Sequence, residues 1–146
     1  MDFDATVKVA VYRATAETGI IPSLQEVADR VGATQTMVKE ACARLHSGRL
    51  LWLEDDGVTI RMAPPFSGVP TQHRVTVDGI EYFANCAWDA LGIPAALHRS
   101  GVVHSRCEQS LEPLYLSVGL NGPALSTWLF HCLVPAAKWW DDLVFT

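Results

Sequence analysis

The sequence predicts an α+β protein: an N-terminal winged-helix-like module, then a mixed, mostly antiparallel β-sheet core with a helix that carries a cysteine and an aspartate. Residues 1–62 show helical spacing of apolar side chains and then a hairpin signal. Residues 63–73 are rich in proline and glycine, which predicts a connector without regular structure. Residues 74–146 contain short strand-like runs, and we expect them to form the β-sheet core.

Length and composition limit the classes of protein to which the chain can belong. Its 146 residues suffice for one domain or for two small modules that share a core. Hydrophobic residues make up 49% and charged residues 18%, which excludes intrinsic disorder because disorder needs low hydrophobicity and high net charge. No apolar run approaches the ~20 residues that span a bilayer, and the first residues lack the basic segment of a secretion signal. We therefore expect a cytoplasmic protein with no membrane partner.

Three helices are predicted in the N-terminal module. The first covers residues 4–18. Ser23 and Glu26 have the spacing of a capping box, in which each side chain satisfies a free backbone N–H of the other, and their helix stops at Gly32. A third helix over residues 35–46 is predicted from one apolar stripe, which comprises Met37, Val38, Ala41 and Leu45.

A hairpin follows the third helix, because two apolar runs flank the tight-turn pair Asp56-Gly57. This order of elements resembles that of winged helix-turn-helix transcription regulators, which place their third helix in the DNA major groove. Residues 1–62 carry nine acidic and seven basic side chains, and the wing itself contains Glu54 and Asp55. Because phosphate contacts need Lys or Arg, this charge disfavours DNA as a partner and favours a structural or dimerising scaffold.

The C-terminal core is predicted to contain four strands and one helix. The helical pattern over residues 80–97 predicts a helix, or the start of one, that breaks near Pro94. The residues after Pro135 close the chain. The strands are predicted over residues 74–79, 101–107, 113–120 and 126–135.

The cysteines carry the chemistry that this sequence offers. None of the four lies in a Cys-x-x-Cys motif or at zinc spacing, so we expect free thiols rather than disulfides. Cys86 and Asp89 are three residues apart, which places them on one face of a helix. A neighbouring carboxylate raises the pKa of a thiol, so the pair is a poor simple nucleophile. It fits a thiolate that binds a soft metal, with the carboxylate accepting the released proton and later delivering it.

Residues 82–118 resemble the core of the organomercurial (alkylmercury) lyases. The first matching block is YFANCAWDALGIPAAL, which contains Cys-x-x-Asp and, further on, Pro94. The second block starts at Cys107 and continues with a hydroxyl residue three positions on, a proline and the strand LYLSV. Members of that family also carry a winged-helix-like region before this core, which agrees with residues 1–62.

The resemblance implies protonolysis of a carbon–mercury bond, with Cys86 as the attacking thiolate and Asp89 as the proton donor. Cys107 corresponds to a cysteine that the family uses structurally. No cofactor is implied, and Hg(II) is a bound metal derived from the substrate. The implied partners are an organomercurial or another thiol-reactive small molecule, together with small thiols or a mercury-accepting protein.

The family's second mercury-binding cysteine follows a Leu-Val-x-Pro segment. Here that segment ends at Pro135, and the corresponding position, eleven residues further on, is Thr146. The chain is therefore identified as a divergent or C-terminally shortened member, in which mercury would be bound but less strongly activated for cleavage. Cys132 is the candidate replacement, so Cys86 and Cys132 are the predicted metal-binding residues.

Other functions stay open at this point. The chain is alternatively a winged-helix transcription regulator that senses a ligand, a soft-metal or ligand-binding protein without lyase activity, or a non-catalytic subunit. An apolar edge left open by the core would favour association into a homo-oligomer. Cysteines that do not bind mercury are expected to pack in the core: Cys42, Cys107 and, if it is not the replacement ligand, Cys132.

Overall fold

The structure, a computed structural model, describes residues 2–142. This part of the chain contains four α-helices, a three-stranded sheet, a five-stranded sheet and a short 3₁₀-helix. The first half contains α1 (Phe3–Thr18), α2 (Leu24–Val31), α3 (Gln35–Ser47), β1 (Trp52–Leu53), β2 (Ile60–Ala63) and β3 (Phe66–Ser67). The second half contains β4 (Arg74–Val77), β5 (Ile80–Phe83), α4 (Ala87–Leu97), β6 (Gly101–Arg106), β7 (Pro113–Gly119), β8 (Gly122–Pro123) and a 3₁₀-helix (Ala136–Asp141). None of the described helices has the length and apolar character needed to cross a membrane.

The first three helices form where the sequence supplies caps. Asp2 accepts a hydrogen bond of 2.8 Å from the N–H of Ala5 at the start of α1. The predicted capping box is confirmed: the N–H of Ser23 donates to the Glu26 carboxylate at 2.8 Å, and the N–H of Glu26 donates to the Ser23 hydroxyl at 3.3 Å. The helices turn apolar faces inward, and the first core includes Val7, Val11, Val27, Val38 and Leu51.

The predicted hairpin after α3 is present as β1 and β2, which pair antiparallel. The Asp56 carboxylate stabilises its turn by accepting hydrogen bonds from the N–H groups of Val58 and Thr59, both at 2.8 Å. Gly57 adopts φ +65°, a conformation that L side chains rarely take.

A short strand lies within the segment that was expected to be irregular, residues 63–73. This strand, β3, pairs antiparallel with β2. Pro64 and Pro65 lie in the turn between the two strands, so neither has to supply an N–H to the ladder. Phe66 is buried in β3, and the ring of Tyr12 from α1 packs against it. The prediction of irregular structure is therefore wrong for β3.

The second sheet has the strand order β5-β4-β6-β7-β8, and every neighbouring pair is antiparallel. The strands predicted over residues 74–79, 101–107 and 113–120 are confirmed as β4, β6 and β7. The α4 helix packs against β4, β6 and β7. Their shared core includes Val75, Tyr82, Ile93, Val103 and Val118. The α+β class with antiparallel sheets is therefore confirmed.

The helix predicted over residues 80–97 is shorter than expected. Its first four residues form β5 instead, because Asp78 and Gly79 take positive φ angles and turn the chain back onto β4. The helix α4 starts only after β5 and runs through Pro94, so the predicted break there is wrong. A proline removes one helical hydrogen bond, but Pro94 and Ile93 are buried, and this packing stabilises the last turn.

The strand predicted over residues 126–135 does not form. The preceding β8 has two residues, and after it the N–H of Ala124 still donates to the carbonyl of Ser117 of β7 at 2.8 Å. The chain then leaves the sheet, and Leu129 is 91% exposed. The segment instead contacts α4, because the ring of Phe130 lies 5.6 Å from that of Trp88, measured between centroids.

Candidate active site

Cys86 lies at the junction of β5 and α4, where it is the N-cap of the helix. Its backbone is extended, with φ −150° and ψ 177°, and its Sγ accepts a hydrogen bond from the N–H of Asp89 at 3.5 Å. Two residues earlier, Ala84 is fixed by a hydrogen bond of 2.8 Å to the carbonyl of His73 and by a β-bridge to Phe66. A helix N-terminus presents free N–H groups, which stabilise a thiolate. Cys86 and Asp89 therefore meet through a helix cap rather than along a helix face.

Cys86 and Asp89 are both half-buried and influence each other's pKa. Burial raises the pKa of the Asp89 carboxyl, and hydrogen bonds from Asn85 and Cys86 oppose this by lowering it. Burial likewise raises the pKa of the Cys86 thiol. The N–H of Asp89 lowers that thiol pKa, and the negative charge of Asp89 raises it. The thiol consequently keeps its proton at neutral pH, and the carboxyl bonded to it can receive that proton.

Asn85 joins this pair to the first sheet. Its Nδ2 donates to Oδ2 of Asp89 at 3.1 Å and to the carbonyl oxygen of Phe66 at 3.3 Å. Asn85 is not among the site residues predicted from the sequence. The available signal was its position next to Cys86 and four residues before Asp89, a spacing at which an amide and a carboxylate meet near a helix start.

Tyr12 brings the N-terminal helix to the site. Its hydroxyl donates to the carbonyl of Pro64 at 2.8 Å, and its ring lies edge-on to that of Phe66 at 6.2 Å. Burial raises the pKa of Tyr12 to about 12, and the negative charge of Asp89 contributes to this rise. Tyr12 is therefore a neutral phenol that experiences the charge of Asp89. No local pattern in the sequence could identify it, because only the tertiary fold brings the Tyr12 side chain against Phe66 and near the charge of Asp89.

Apolar side chains lie within five residues of Cys86 in the sequence. Trp88 is 55% exposed although it packs on Phe130, which is itself 45% exposed. Phe83 and Leu91 are half-buried. An apolar organic group could bind here and bury part of this surface.

The family model of alkylmercury lyase matches residues 66–146, which is more than half of the chain and includes Cys86 and Asp89. The chain belongs to the alkylmercury lyase family. Curated alkylmercury lyases of Bacillus cereus and Clostridium butyricum are each 30% identical to it over 96 residues. Those matches cover 66% of this chain and 42% of each relative, so the chain spans about two fifths of the length of these curated relatives.

A solved structure supports the fold of this family member. The crystal structure of the mercury-bound form of MerB2 superimposes on it with a TM-score of 0.63 at 24% sequence identity. The match covers 82% of this chain and 59% of that chain. The mixed α and β architecture with antiparallel sheets is thus shared with that protein.

Two further cysteines of this alkylmercury lyase relative have contrasting surroundings. Cys42 is fully buried in the first core, as expected of a packing thiol, and burial raises its pKa to about 11. Cys107 is half-buried at the turn between β6 and β7, and its Sγ accepts a hydrogen bond from the N–H of Ser110 at 3.5 Å. The side chain and backbone of Ser110 lower the pKa of Cys107. The prediction that Cys107 packs in the core is wrong, because the side chain is only half-buried and belongs to neither core cluster.

Cys132 is exposed, and its thiol donates to the carbonyl of Val134 at 2.8 Å. The expectation of a buried strand thiol is wrong here, since its segment leaves the sheet. Among residues 2–142, no cluster of three or more His, Cys, Asp or Glu side chains is arranged to hold a metal ion. Thr146, the position at which the resemblance puts the second mercury-binding thiol, lies outside the described residues.

Proposed function

We propose that this chain cleaves the carbon–mercury bond of organomercurials by protonolysis, with Cys86 as the thiolate that takes the mercury and Asp89 as the proton donor. The observation that carries the proposal is the hydrogen-bonded pair of a thiol and a half-buried carboxyl at the start of α4. Membership of the alkylmercury lyase family supports the class of reaction. The pair combines a soft ligand for mercury with an acid that burial keeps protonated more readily than usual.

The first step exchanges a proton for mercury at Cys86. The thiol gives its proton to the Asp89 carboxylate, and the thiolate displaces the anionic ligand X from the substrate R–Hg–X. An S–Hg bond forms, the Hg–X bond breaks and X leaves with its electron pair. Because the thiol pKa is raised, the proton stays on sulfur until mercury arrives, and Asp89 is then loaded with it.

The second step breaks the carbon–mercury bond. The Asp89 carboxyl donates its proton to the carbon, and the electron pair of the C–Hg bond becomes the new C–H bond. The hydrocarbon R–H leaves, the Asp89 carboxylate is regenerated and Hg(II) stays on the Cys86 sulfur. A carboxyl with a raised pKa retains the proton through the interval between the two steps.

A second thiolate would raise the electron density on the carbon and complete the coordination of mercury. Cys132 is one candidate, because its segment contacts α4 through Phe130 and Trp88. A small thiol from solution is the other. Hg(II) would then pass to a small thiol or to a mercury-accepting protein, since soft thiolates exchange soft metals among themselves.

The N-terminal part acts, in this proposal, as a winged-helix-like scaffold over residues 1–62, joined by residues 63–73 to a lyase-like core over residues 74–146. Two basic side chains that a DNA-binding module would use are engaged in ion pairs. Arg44 of α3 contacts Asp4 at 2.7 Å, and Arg61 of β2 contacts Glu54 at 2.8 Å. These pairs, with the position of Tyr12 beside the site, favour a supporting role over contact with phosphates.

The test is the release of benzene from a phenylmercury salt in the presence of excess small thiol. We expect benzene from the unmodified protein and none above background from Cys86→Ala. Cys107→Ala is the matched control, because it removes a thiol with a similar local hydrogen bond, and it should retain the activity. Equal benzene release from the Cys86→Ala and unmodified proteins would show that the proposal is wrong.

A further inference from the structure

The amide of Asn85 lies between Asp89 and the first sheet. Nδ2 uses both of its hydrogens, one toward Oδ2 of Asp89 at 3.1 Å and one toward the Phe66 carbonyl at 3.3 Å. That carbonyl belongs to β3, which is paired with β2, and the Phe66 ring is buried against Tyr12. The carboxyl of Asp89 is thereby tied to a fixed point of the backbone outside its own helix.

The other end of the amide shows that this orientation is imposed by its neighbours. Oδ1 of Asn85 is buried and has no hydrogen-bond partner among the described residues. Leaving a buried carbonyl without a hydrogen bond is energetically unfavourable, so folds seldom retain one without a compensating contact. Turning the amide over would place Oδ1 against two acceptors, the Phe66 carbonyl and the Asp89 carboxylate. The donor end is therefore held toward Asp89 although the acceptor end stays unpaired.

We infer that Asn85 is a positioning residue, which holds the Asp89 carboxyl in one rotamer beside Cys86 by occupying Oδ2 and leaving the second oxygen to exchange the proton. The role rests on the proposed function, because a fixed carboxyl matters to cleavage only if Asp89 moves the proton. Displacements of about 1 Å in a reacting group can slow a reaction roughly 100-fold, so a single anchoring hydrogen bond is sufficient to affect the rate.

A purely structural role for Asn85 predicts a different set of effects. If the amide only joined the two sheets, its loss would lower stability and mercury capture together with cleavage. A positioning role instead slows the step in which carbon is protonated, while Cys86 still captures the substrate. Two measurements distinguish these roles: the comparison of kcat with KM, and the NMR resonances of the Asn85 side-chain amide.

Selective labelling with ¹⁵N-asparagine tests the anchor directly, because the chain contains two asparagines, Asn85 and Asn121. Asn121 is exposed at the turn between β7 and β8 and serves as the internal control. In Asp89→Ala we expect the side-chain NH₂ resonances of Asn85 to shift and to exchange faster with water, with those of Asn121 unchanged. Identical Asn85 resonances in the two proteins would overturn the inference.

Kinetics test the consequence of the anchor for the reaction. Asn85→Leu keeps the size of the side chain and removes the donor, and Asn121→Leu is the matched control. We expect Asn85→Leu to lower kcat for benzene release roughly 10- to 100-fold, with KM and capture of phenylmercury by Cys86 unchanged. Asn85→Gln, which retains the amide, should recover part of the rate.

Two kinetic results would contradict the positioning role: an unchanged kcat in Asn85→Leu, or a loss of phenylmercury capture as large as the loss of kcat. The NMR comparison needs no lyase activity. If the unmodified protein releases no benzene, the proposed function fails, and the Asn85 resonances alone then decide whether the amide anchors Asp89.

Discussion

Cys86 and Cys107 make the same local hydrogen bond and have opposite acid–base properties. In each case Sγ accepts a hydrogen bond of 3.5 Å from the N–H of the residue three positions later. The pKa of Cys86 is raised, first by burial and also by the charge of Asp89. The pKa of Cys107 is lowered, first by the hydroxyl of Ser110 and then by backbone N–H groups. The N–H contact is thus common to both thiols. Burial and the side chain three positions after the cysteine decide the difference in pKa.

Exposure and pKa together distinguish a generally reactive thiol from one suited to exchanging its proton for a metal. A partly exposed thiol with a lowered pKa is ionised more readily and reacts with electrophiles without further help. A half-buried thiol with a raised pKa keeps its proton until a metal displaces it, and the adjacent carboxyl then stores that proton. In the proposed mechanism, Cys86 is therefore less reactive toward general electrophiles, and its capture of mercury protonates Asp89.

The largest expected effect comes from replacing Asp89, which lies three positions after Cys86, with serine, the residue found three positions after Cys107. In Asp89→Ser the proton donor is lost, so benzene release from phenylmercury should fall about 10²- to 10⁴-fold. The same change removes a negative charge that raises the pKa of Cys86, so this thiol should titrate at lower pH. Benzene assays and iodoacetamide labelling across pH measure the two effects. Benzene release at the unmodified rate would break the comparison.

Cys42 extends the comparison to a thiol for which burial is the main influence on the pKa. Because it is fully buried in the first core, Cys42→Ser places a hydroxyl among apolar side chains, and we expect the free energy of unfolding to fall by about 1–3 kcal/mol. Urea denaturation measures the change. The exposed Cys132→Ser is the matched control and should stay within about 0.5 kcal/mol of the unmodified protein. Equal stabilities of the two variants would contradict the packing role of Cys42.

A smaller effect concerns the pH dependence of alkylation. Since the thiolate is the reacting form, Cys107 should be labelled by iodoacetamide at lower pH than Cys86, as peptide mapping after digestion would show. Ser110→Asp replaces the hydroxyl that lowers the Cys107 pKa with a charge that raises it, so labelling of Cys107 should slow several-fold at neutral pH. The midpoint for Cys86 should stay in place. Labelling of Cys86 before Cys107 would reverse the assigned contrast.

Much of the fold was predictable because local signals and tertiary packing agree. The capping box at Ser23 and Glu26 and the tight turn at Asp56-Gly57 determine their elements almost independently of the rest of the chain. The errors fall where packing overrides a local preference. Pro94 stays within a helix because it is buried, and the apolar residues 126–135 form no strand because their segment leaves the sheet after β8.

The site was predictable only in part. The spacing of Cys86 and Asp89 indicated a thiol and a carboxyl side by side, although the contact is a helix cap rather than a helix face. Asn85 and Tyr12 could not be predicted because their positions depend on tertiary contacts with Phe66 and Pro64, which no local pattern encodes. Cys107 is predicted to pack in the core because buried cysteines are common, but it lies half-buried at the turn after β6.

The central claim is that one thiol holds the mercury while the neighbouring carboxyl supplies the proton. Asp89→Asn loaded with phenylmercury in the presence of excess small thiol, followed by mass spectrometry and peptide mapping, tests it most directly. The account predicts that the phenylmercury adduct persists on Cys86 in Asp89→Asn, whereas the unmodified protein loses the phenyl group as benzene and passes Hg(II) to the small thiol. Loss of the phenyl group at equal rates from both proteins, or an adduct confined to Cys107, would contradict the account.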